Sequence, residues 1–436
     1  MLDSYWLSYL KKYDRLFVGF SGGLDSTVLL YSLFAEQYFR SKIIALHINH
    51  NLSDRSYFWE DHCRQFCYNK KILFISKNIY FTKLSNVEQI ARRIRYSIYL
   101  SILGKNDAIL LGHHKNDQVE TLLLHLFRGS GICGLSAMHP VRSLKLGYVV
   151  RPFLKYESYI LRQYADENNL NWIDDDSNHN NVFSRNFLRN KVIPLITLRW
   201  PGIVNNLFRL ASNCLDASNN LFDLARIDCP EILNCRYKNF SHIPIKNLIK
   251  LSIERIKNVL YFWFKNLGIL IPNSKIFNII ASNLKNAENT TNVKVNWKNI
   301  CIRSYKQNLY ILFDEFNYYC KLNMVVYWIN FPSPLFLGKS LGTLNVINTK
   351  YGLFIPKGSK IFIKFRSGGE RIRWRKQNKT LKKLFQYWNV PPWLRFRIPL
   401  LYIDNVLACV IGYAISDDFY CISEENSSYW FKLKNN

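Results

Sequence analysis

Apolar positions in the amino-terminal part of the chain fall into short runs separated by longer stretches of helical spacing. Leu16, Phe17, Val18 and Phe20 form an almost continuous run, the pattern of a strand buried on both faces of a parallel sheet. Ser21-Gly22-Gly23-Leu24-Asp25-Ser26 interrupts it, and beyond the turn Leu29, Leu30, Leu33 and Phe34 recur as on one side of a helix. Residues 43–53, IIALHINHNLS, read as a second buried strand ending in polar residues. Residues 87–99, VEQIARRIRYSIY, predict a basic helix in which Arg92 and Arg95 share a face. Between 108 and 131 an apolar strand ends at His113 and His114, and a helix follows whose core side carries Leu122, Leu123, Leu126 and Phe127. Strand and helix in alternation predict an α/β fold, a doubly wound parallel sheet with ligands at the carboxyl ends of its strands. From about 215 the chain turns helical and polar, and 271–313 reads as a helix followed by short strands. No internal repeat or low-complexity tract is present.

The first turn carries chemistry. A glycine turn opening a helix aims free backbone N–H groups and the positive end of the helix dipole at one point, which suits a phosphate. Gly22 and Gly23 let the backbone come close and take positive φ, while Ser21, Ser26 and Thr27 add hydroxyl donors. Asp25 breaks the simple anion reading, because a carboxylate repels phosphate unless a cation lies between; magnesium is inferred. The stretch has neither Gly-Lys-Ser/Thr nor Gly-x-Gly-x-x-Gly. An ordinary strand-to-helix turn would hold Ser-Gly-Gly-x-Asp-Ser by accident roughly once in a thousand chains of this length.

A second constellation lies downstream. Asp117, Glu120 and Thr121 stand at i, i+3 and i+4, so they project together at the carboxyl end of their strand, where two carboxylates suit magnesium or an incoming ammonium group. Zinc held by the same His, Asp and Glu group is the alternative. Arg185 and Arg189 lie four apart on a predicted helix, a spacing that lets both guanidinium groups reach one anion. Plain solvated charge is the alternative for them, as it is for Arg92 and Arg95.

Composition narrows the class. The 436 residues exceed what one core organises, and 48% hydrophobic, 15% aromatic and 21% charged residues describe a folded chain. No apolar run approaches about 18 residues and the amino terminus lacks a signal-peptide succession, so no membrane partner is expected and the expected address is the cytoplasm. The ten cysteines include no Cys-x-x-Cys pair, which leaves Cys63 and Cys67, beside His62, as buried thiols rather than a metal site. A net charge of +28 favours a polyanionic partner, although a sequence crowded with Lys, Asn, Ile, Tyr and Phe also fits A/T-biased coding. Between Lys357 and Arg397, thirteen Lys or Arg residues, Arg373 and Arg375 among them, face one acid, Glu370. Trp374, Tyr387, Trp388 and Trp393 are interleaved, a mixture that fits unpaired RNA, with core packing the alternative for each ring.

The motif SGGLDS resembles the signature of the PP-loop ATP pyrophosphatases. Within that superfamily the chain resembles the tRNA(Ile)-lysidine synthetases. Their second strand commonly ends His-x-x-His-Gly-Leu, with Asn51 here in place of glycine, a residue that tolerates the left-handed conformation. Their His-x-x-Asp-Asp-x-x-Glu-Thr motif appears with Asn116 for the first aspartate, which removes Asn116 as a metal ligand. Asp175, Ser177, Asn178, Arg185, Asn186, Arg189 and Pro194 fall on a further family pattern, and residues 381–402 resemble the carboxyl-terminal domain of the long members. The resemblance implies three domains: a PP-loop catalytic domain at 1–215, a mainly helical tRNA- and substrate-binding domain at 216–345, and a small basic α+β tRNA-binding domain at 346–436. It implies ATP and Mg2+ as cofactors, L-lysine and the CAU-anticodon tRNA(Ile) as partners, and a tRNA thiolase as the nearest alternative activity. Backbone donors from Ser21 to Ser26, Leu24 included, would hold pyrophosphate, and Asp25 with Asp117 would hold magnesium. Glu120 and Asp117 would recognise lysine, His114 would take its proton, and Arg185 or Arg189 would stabilise the adenylated intermediate. Arg92, Arg95, Arg373 and Arg375 would bind tRNA. Monomer and homodimer both stay open.

Overall fold

A computed structural model of the chain describes residues 1–49, 51, 55–79, 87–174, 180–233, 241–286, 293–313, 324–338, 341–422 and 428–434, the side chains of 87–89 excepted. Asp175, Ser177 and Asn178, and His50, Leu52 and Ser53 of the second-strand motif, lie outside the described residues. The chain forms two compact units, Met1–Leu221 and Phe222–Asn436.

The first unit runs α1 (Ser4–Leu10), β1 (Leu16–Gly19), α2 (Leu24–Ala35), β2 (Ile43–Asn49), α3 (Ser56–Asn69), β3 (Leu73–Asn78), α4 (Val87–Ile102), β4 (Ala108–Leu110), α5 (Lys115–Phe127), α6 (Ile132–Leu135), β5 (Val141–Ser143), β6 (Tyr148–Val150), α7 (Ser158–Glu167), α8 (Ser184–Phe187), α9 (Ile193–Arg199) and α10 (Ile203–Asp228), the last of which runs past Leu221. Its sheet has the order β3-β2-β1-β4-β6-β5 and is parallel except at the β5–β6 edge. From β1 the chain first winds outward through β2 and β3 and then returns to place β4 on the other side, so the crevice for a ligand opens at the carboxyl ends of β1 and β4.

Strand alternation sends Leu16 and Val18 to one face, where Leu10, Leu29, Leu30, Cys67 and Leu161 cover them. Phe17 and Ile109 point to the other, against Tyr99 of α4 and Leu103 just after it. Each such side chain contributes roughly 1.5–3 kcal/mol on burial. Asn51 adopts φ 48°, the left-handed turn the sequence anticipated after β2.

Helix α5 departs from its expected pattern. Val119, Leu122 and Leu123 pack against Leu188 and Ala211, whereas Leu126 and Phe127 are exposed. The apolar stripe continues into the last turn, beyond the surface that covers the first two. Between α8 and α9 the helix widens into one π-type turn, Leu188–Val192. Pro194, in the first turn of α9, has no N–H to give and would crowd the carbonyl of residue 190 in a regular α-helix, so the widened turn ahead of it relieves the clash.

The second unit begins, after the end of α10, with β7 (His242–Pro244), α11 (Ile245–Ile249), α12 (Ile253–Asn266), α13 (Ser274–Lys285), β8 (Lys294–Trp297), β9 (Ile300–Tyr305) and β10 (Asn308–Phe313). The strands form an antiparallel sheet, β7-β10-β9-β8, and the helix-then-strands order expected for 271–313 is the one observed. Trp263 of α12 is fully buried and donates its ring N–H to Ser241 Oγ at 2.9 Å.

The remaining elements are β11 (Val325–Tyr327), β12 (Leu335–Phe336), β13 (Thr343–Thr349), β14 (Tyr351–Leu353), β15 (Ile361–Lys364), β16 (Arg371–Trp374), β17 (Gln377–Thr380), α14 (Leu381–Tyr387), β18 (Leu400–Ile403), β19 (Val406–Val410), β20 (Ala414–Ile415), β21 (Tyr420–Ile422) and β22 (Ser428–Lys434). Two five-stranded antiparallel sheets, β11-β15-β18-β19-β20 and β12-β13-β22-β14-β21, share a core of Leu344, Leu353, Ile363, Leu401 and Phe431. Helix α14 packs Leu381, Leu384 and Phe385 against Leu400 and Val410, and the hairpin β16–β17 presents the basic residues.

Candidate active site

The loop after β1 is knitted from within. Gly22 takes φ +85°, and a β-carbon there would sit 2.9 Å from Cys63 Sγ, so only glycine fits. Gly23 differs from its expectation: it is the N-cap of α2 at φ −76°, a conformation open to any residue. Ser26 Oγ accepts from Ser21 N at 3.2 Å and donates to the Gly23 carbonyl at 3.0 Å. Thr27 is buried and its hydroxyl donates to the same carbonyl at 3.0 Å, so it braces the loop instead of facing a ligand. Ile173 N–H anchors the Gly22 carbonyl at 2.9 Å. The first backbone bond of the helix is Thr27 N–H to Gly23 O, which leaves the N–H groups of Leu24, Asp25 and Ser26 without a carbonyl four residues back. Those donors and the dipole of a 12-residue helix make an anion cradle. The Leu24 side chain packs on the core, so only its backbone serves the loop.

Asp25 stands beside the cradle with 37% of its side chain accessible. Burial pushes its carboxyl up to about 6, against the pull of His114 and with a further push from Asp117. The loop after β4 meets it closely: a β-carbon on Gly112 would lie 2.8 Å from the Asp25 carbonyl oxygen. His114, nearly buried, places Nε2 3.6 Å from Asp25 Oδ2 and 3.6 Å from Asp117 Oδ2.

Asp117, Glu120, Arg185 and Arg189 form one closed network. Arg185 donates from Nε to Glu120 Oε2 at 2.6 Å and from Nη2 to Asp117 Oδ1 at 2.9 Å. Arg189 donates from Nε to Glu120 Oε1 at 2.6 Å, and from Nη2 to Asp117 Oδ1 at 3.0 Å and Glu120 Oε2 at 3.1 Å. Two negative and two positive charges cancel, in the charge-assisted geometry that makes such contacts strong. Burial pushes the Asp117 carboxyl up, but His114, Arg185, His113 and Arg189 pull harder and hold it well below the usual carboxylate range. Leu188, buried with Val119, Leu122 and Leu123, fixes the arginine helix in place against α5. Asn116 accepts from Ser158 N–H at 3.3 Å, at the start of α7.

The sequence therefore named six side chains that do converge: Asp25, His114, Asp117, Glu120, Arg185 and Arg189. Arg92 lies over the Tyr96 ring at 5.2 Å, and Arg95 sits on the same helix. Arg373 and Arg375 belong to the second unit: Arg373 pairs with Asp418 at 3.0 Å, and Arg375 stacks on Trp374 at 4.5 Å beside the turn of the basic hairpin. Trp393 is core, and Trp374 and Trp388 pack on the α14 cluster, which leaves Tyr387 as the exposed ring of the four. Cys63 and Cys67 are buried thiols whose pKa values burial raises, that of Cys67 to about 12. Gly112 and the buried Arg151 went unnoticed in the sequence; a small residue between an apolar strand and a polar loop was the available signal for Gly112.

Residues 3–196 match the family model described as PP-loop domain, 244–310 the TilS substrate binding domain and 361–430 the TilS substrate C-terminal domain. The chain is 44% identical over 421 residues to the tRNA(Ile)-lysidine synthase of Legionella pneumophila (strain Lens), covering 96% of each. It is 36% identical over 430 residues to that of Coxiella burnetii (strain RSA 493 / Nine Mile phase I), covering 96% of this chain and 93% of the relative. To that of Buchnera aphidicola subsp. Schizaphis graminum (strain Sg) it is 35% identical over 421 residues, covering 94% and 92%. Among the described residues no helix is long and apolar enough to cross a membrane.

Proposed function

This chain belongs to the tRNA(Ile)-lysidine synthase family, and from that premise we propose a division of labour among its residues. The enzyme is a ligase that uses ATP to form lysidine, joining L-lysine to carbon 2 of the wobble cytidine of the CAU anticodon, so that tRNA(Ile) reads AUA in place of AUG. The relatives are lysidine synthases over nearly the whole chain, which favours ligation over 2-thiolation.

In the first half-reaction the carbon-2 oxygen of cytidine attacks the α-phosphorus of ATP, the bond from that phosphorus to the bridging oxygen breaks, and pyrophosphate leaves. The backbone N–H groups of Leu24, Asp25 and Ser26 hold the departing pyrophosphate, aided by the helix dipole. Magnesium fits the donor set, because it takes one or two carboxylates and completes its shell from phosphate and water. Asp25, whose raised pKa makes a neighbouring cation welcome, would hold it with Asp117, and the ion would shield phosphate charge from the attacking oxygen. Arg185 or Arg189 neutralises the charge on the adenylated base.

In the second half-reaction the side-chain amine of lysine attacks carbon 2, the bond to oxygen breaks, and AMP leaves. Free lysine is protonated near neutral pH, so the ammonium must be bound and then stripped of a proton. Asp117 and Glu120 bind it, and His114, with Nε2 between Asp25 and Asp117, takes the proton. The arginines occupy those carboxylates beforehand. As the adenylate brings negative charge and lysine brings positive charge, guanidinium groups pass to phosphate and carboxylates to ammonium, and the buried site stays neutral throughout. Arg92 and Arg95 on α4, and Arg373 and Arg375 on the second unit's hairpin, contact tRNA phosphates. We retain three domains, with a division near 215 and a carboxyl-terminal domain that reaches back to β11 at Val325, ahead of the boundary expected at 346. A cytoplasmic address goes with the tRNA substrate.

The observation that carries this reading is the meeting of an anion cradle, an accessible Asp25 and a neutral carboxylate–arginine network at one end of the sheet. Labelled lysine, ATP and a tRNA(Ile) transcript test it. Lysine should enter the tRNA with one AMP released per lysine, and absence of label in the tRNA, or its entry without ATP, would overturn the reading.

A further inference from the structure

Arg151, immediately after β6, is 2% exposed, and among the described residues no carboxylate pairs with it. Its Nη1 donates to the His139 carbonyl at 2.8 Å, its Nη2 to the Tyr96 hydroxyl at 3.2 Å, and its Nε to His113 Nδ1 at 3.2 Å. The Tyr96 ring lies against two further cations, Arg92 at 5.2 Å and Arg142 at 4.8 Å. A guanidinium taken out of water among neutral groups and like charges is an expensive arrangement, and a stabilising packing role alone would be met more cheaply by an apolar side chain.

The chemistry of the third contact supplies a reason. A guanidinium only donates hydrogen bonds. His113 Nδ1 must therefore accept, which leaves Nδ1 without a proton and puts the ring hydrogen on Nε2. We propose that Arg151 is a positioning residue that fixes His113 as a neutral ring in the Nε2–H tautomer, so that His113 serves the active site as a hydrogen-bond donor and never as a base. This rests on the active-site reading above.

Adjacent histidines thereby take different roles. His114 has Nε2 between two carboxylates, whereas His113 gives its Nδ1 to the Arg151 guanidinium. The charged and titratable groups around His113 come from every neighbouring element: Asp117 on α5, Arg185 on α8, Arg92 and Tyr96 on α4, and Arg151 after β6. Burial lowers the His113 pKa to about 3, with Asp117 opposing and the arginines assisting, in agreement with the neutral ring that the geometry requires. An Nε2–H donor beside the adenylation site suits an oxygen or nitrogen acceptor on the nucleobase.

Long-range proton–nitrogen spectra of the full chain labelled with 15N-histidine test this, with His113→Gln identifying the signal. In the wild-type protein His113 should show the neutral Nε2–H pattern, unchanged from about pH 5.5 to about pH 8. A wild-type Nδ1–H pattern, or titration within that range, overturns the proposal without recourse to any variant. In Arg151→Met the ring should lose its single tautomer, an Nδ1–H pattern appearing beside the Nε2–H one, while burial keeps it neutral over the same range. Pyrophosphate release should fall about ten-fold or more with ATP affinity unchanged, equivalent to about 1.4 kcal/mol of transition-state stabilisation. An unaltered His113 signal or a wild-type rate in that variant also overturns it. The spectra need no turnover, so a chain that made no lysidine would sink the functional reading and leave the tautomer legible.

Discussion

Replacing Glu120 with glutamine removes one negative charge from the four-membered network and turns one acceptor into a donor. Only 1% of the Glu120 side chain is exposed, and it accepts from Arg185 Nε at 2.6 Å, Arg189 Nε at 2.6 Å and Arg189 Nη2 at 3.1 Å. Whichever way the glutamine amide is turned, its NH2 group faces a guanidinium N–H. Removing one partner from a buried ionic network costs about 3–5 kcal/mol. Arg185 and Arg189 keep 26% and 39% of their side chains in solvent, so water recovers part of that, and about 2–3 kcal/mol should be lost. For a unit of this size 1 kcal/mol moves the melting midpoint by roughly 2–4 °C, so circular dichroism should record a fall of about 4–12 °C. The same carboxylate is assigned to the lysine ammonium, and a charged hydrogen bond is worth about 1.5–3 kcal/mol. The lysine concentration for half-maximal AMP release should therefore rise about 10- to 100-fold, with the ATP requirement nearly unchanged. A melting midpoint equal to that of wild type would show that the network carries no load. Lysine and ATP requirements rising in parallel would refute the lysine site.

Three other outcomes are expected. The Asp25 carboxyl is raised from 3.8 to about 6, so the folded chain holds its proton more tightly than the unfolded chain; stability from this group is greatest below about pH 4 and falls as pH rises through about 6. Because more than a third of the side chain meets solvent, the deficit above that range is on the order of 1–2 kcal/mol. Asp25→Asn should therefore unfold at higher urea than wild type near neutral pH and at equal urea near pH 4, while releasing no pyrophosphate; a less stable variant at neutral pH contradicts the sign, and normal pyrophosphate release removes Asp25 from the chemistry. Gly112→Ala should press on the Asp25 carbonyl, where the added carbon would lie at 2.8 Å, and cost about 1–3 kcal/mol; calorimetry should show ATP binding weakened by about ten-fold or more, and unchanged affinity would mean that the two loops move independently. Arg373→Ala with Arg375→Ala should weaken tRNA binding and lower the slope of log affinity against log salt by about 1.5, with ATP affinity unaffected; an unchanged slope would take both residues off the phosphates.

The sequence displayed elements and their order well because each rests on local periodicity. β1, its glycine turn and α2 are visible in a few residues, and Asn51 could be assigned a left-handed conformation because so few side chains tolerate one. Helical spacing likewise put Asp117 with Glu120 and Arg185 with Arg189. It could not show that the two pairs bond to each other, since they are 65 or more residues apart and their meeting depends on α5 packing against α8. The directions of Thr27 and Gly23 were misread for a related reason: the loop uses the Ser26 and Thr27 hydroxyls to brace itself and needs only one residue at positive φ. Leu126 and Phe127 continue a helical stripe whose covering surface ends sooner than the stripe. Arg151 carries no local signature at all; its meaning comes from burial and from three partners on distant segments.

The order of the two half-reactions gives the most direct test. Enzyme in excess, ATP and tRNA(Ile) should release about one pyrophosphate per tRNA before lysine is added, with AMP left bound to the tRNA base, and lysine should then discharge that AMP. Pyrophosphate that appears only once lysine is present, with AMP found on lysine, would contradict activation of the base at the cradle after β1.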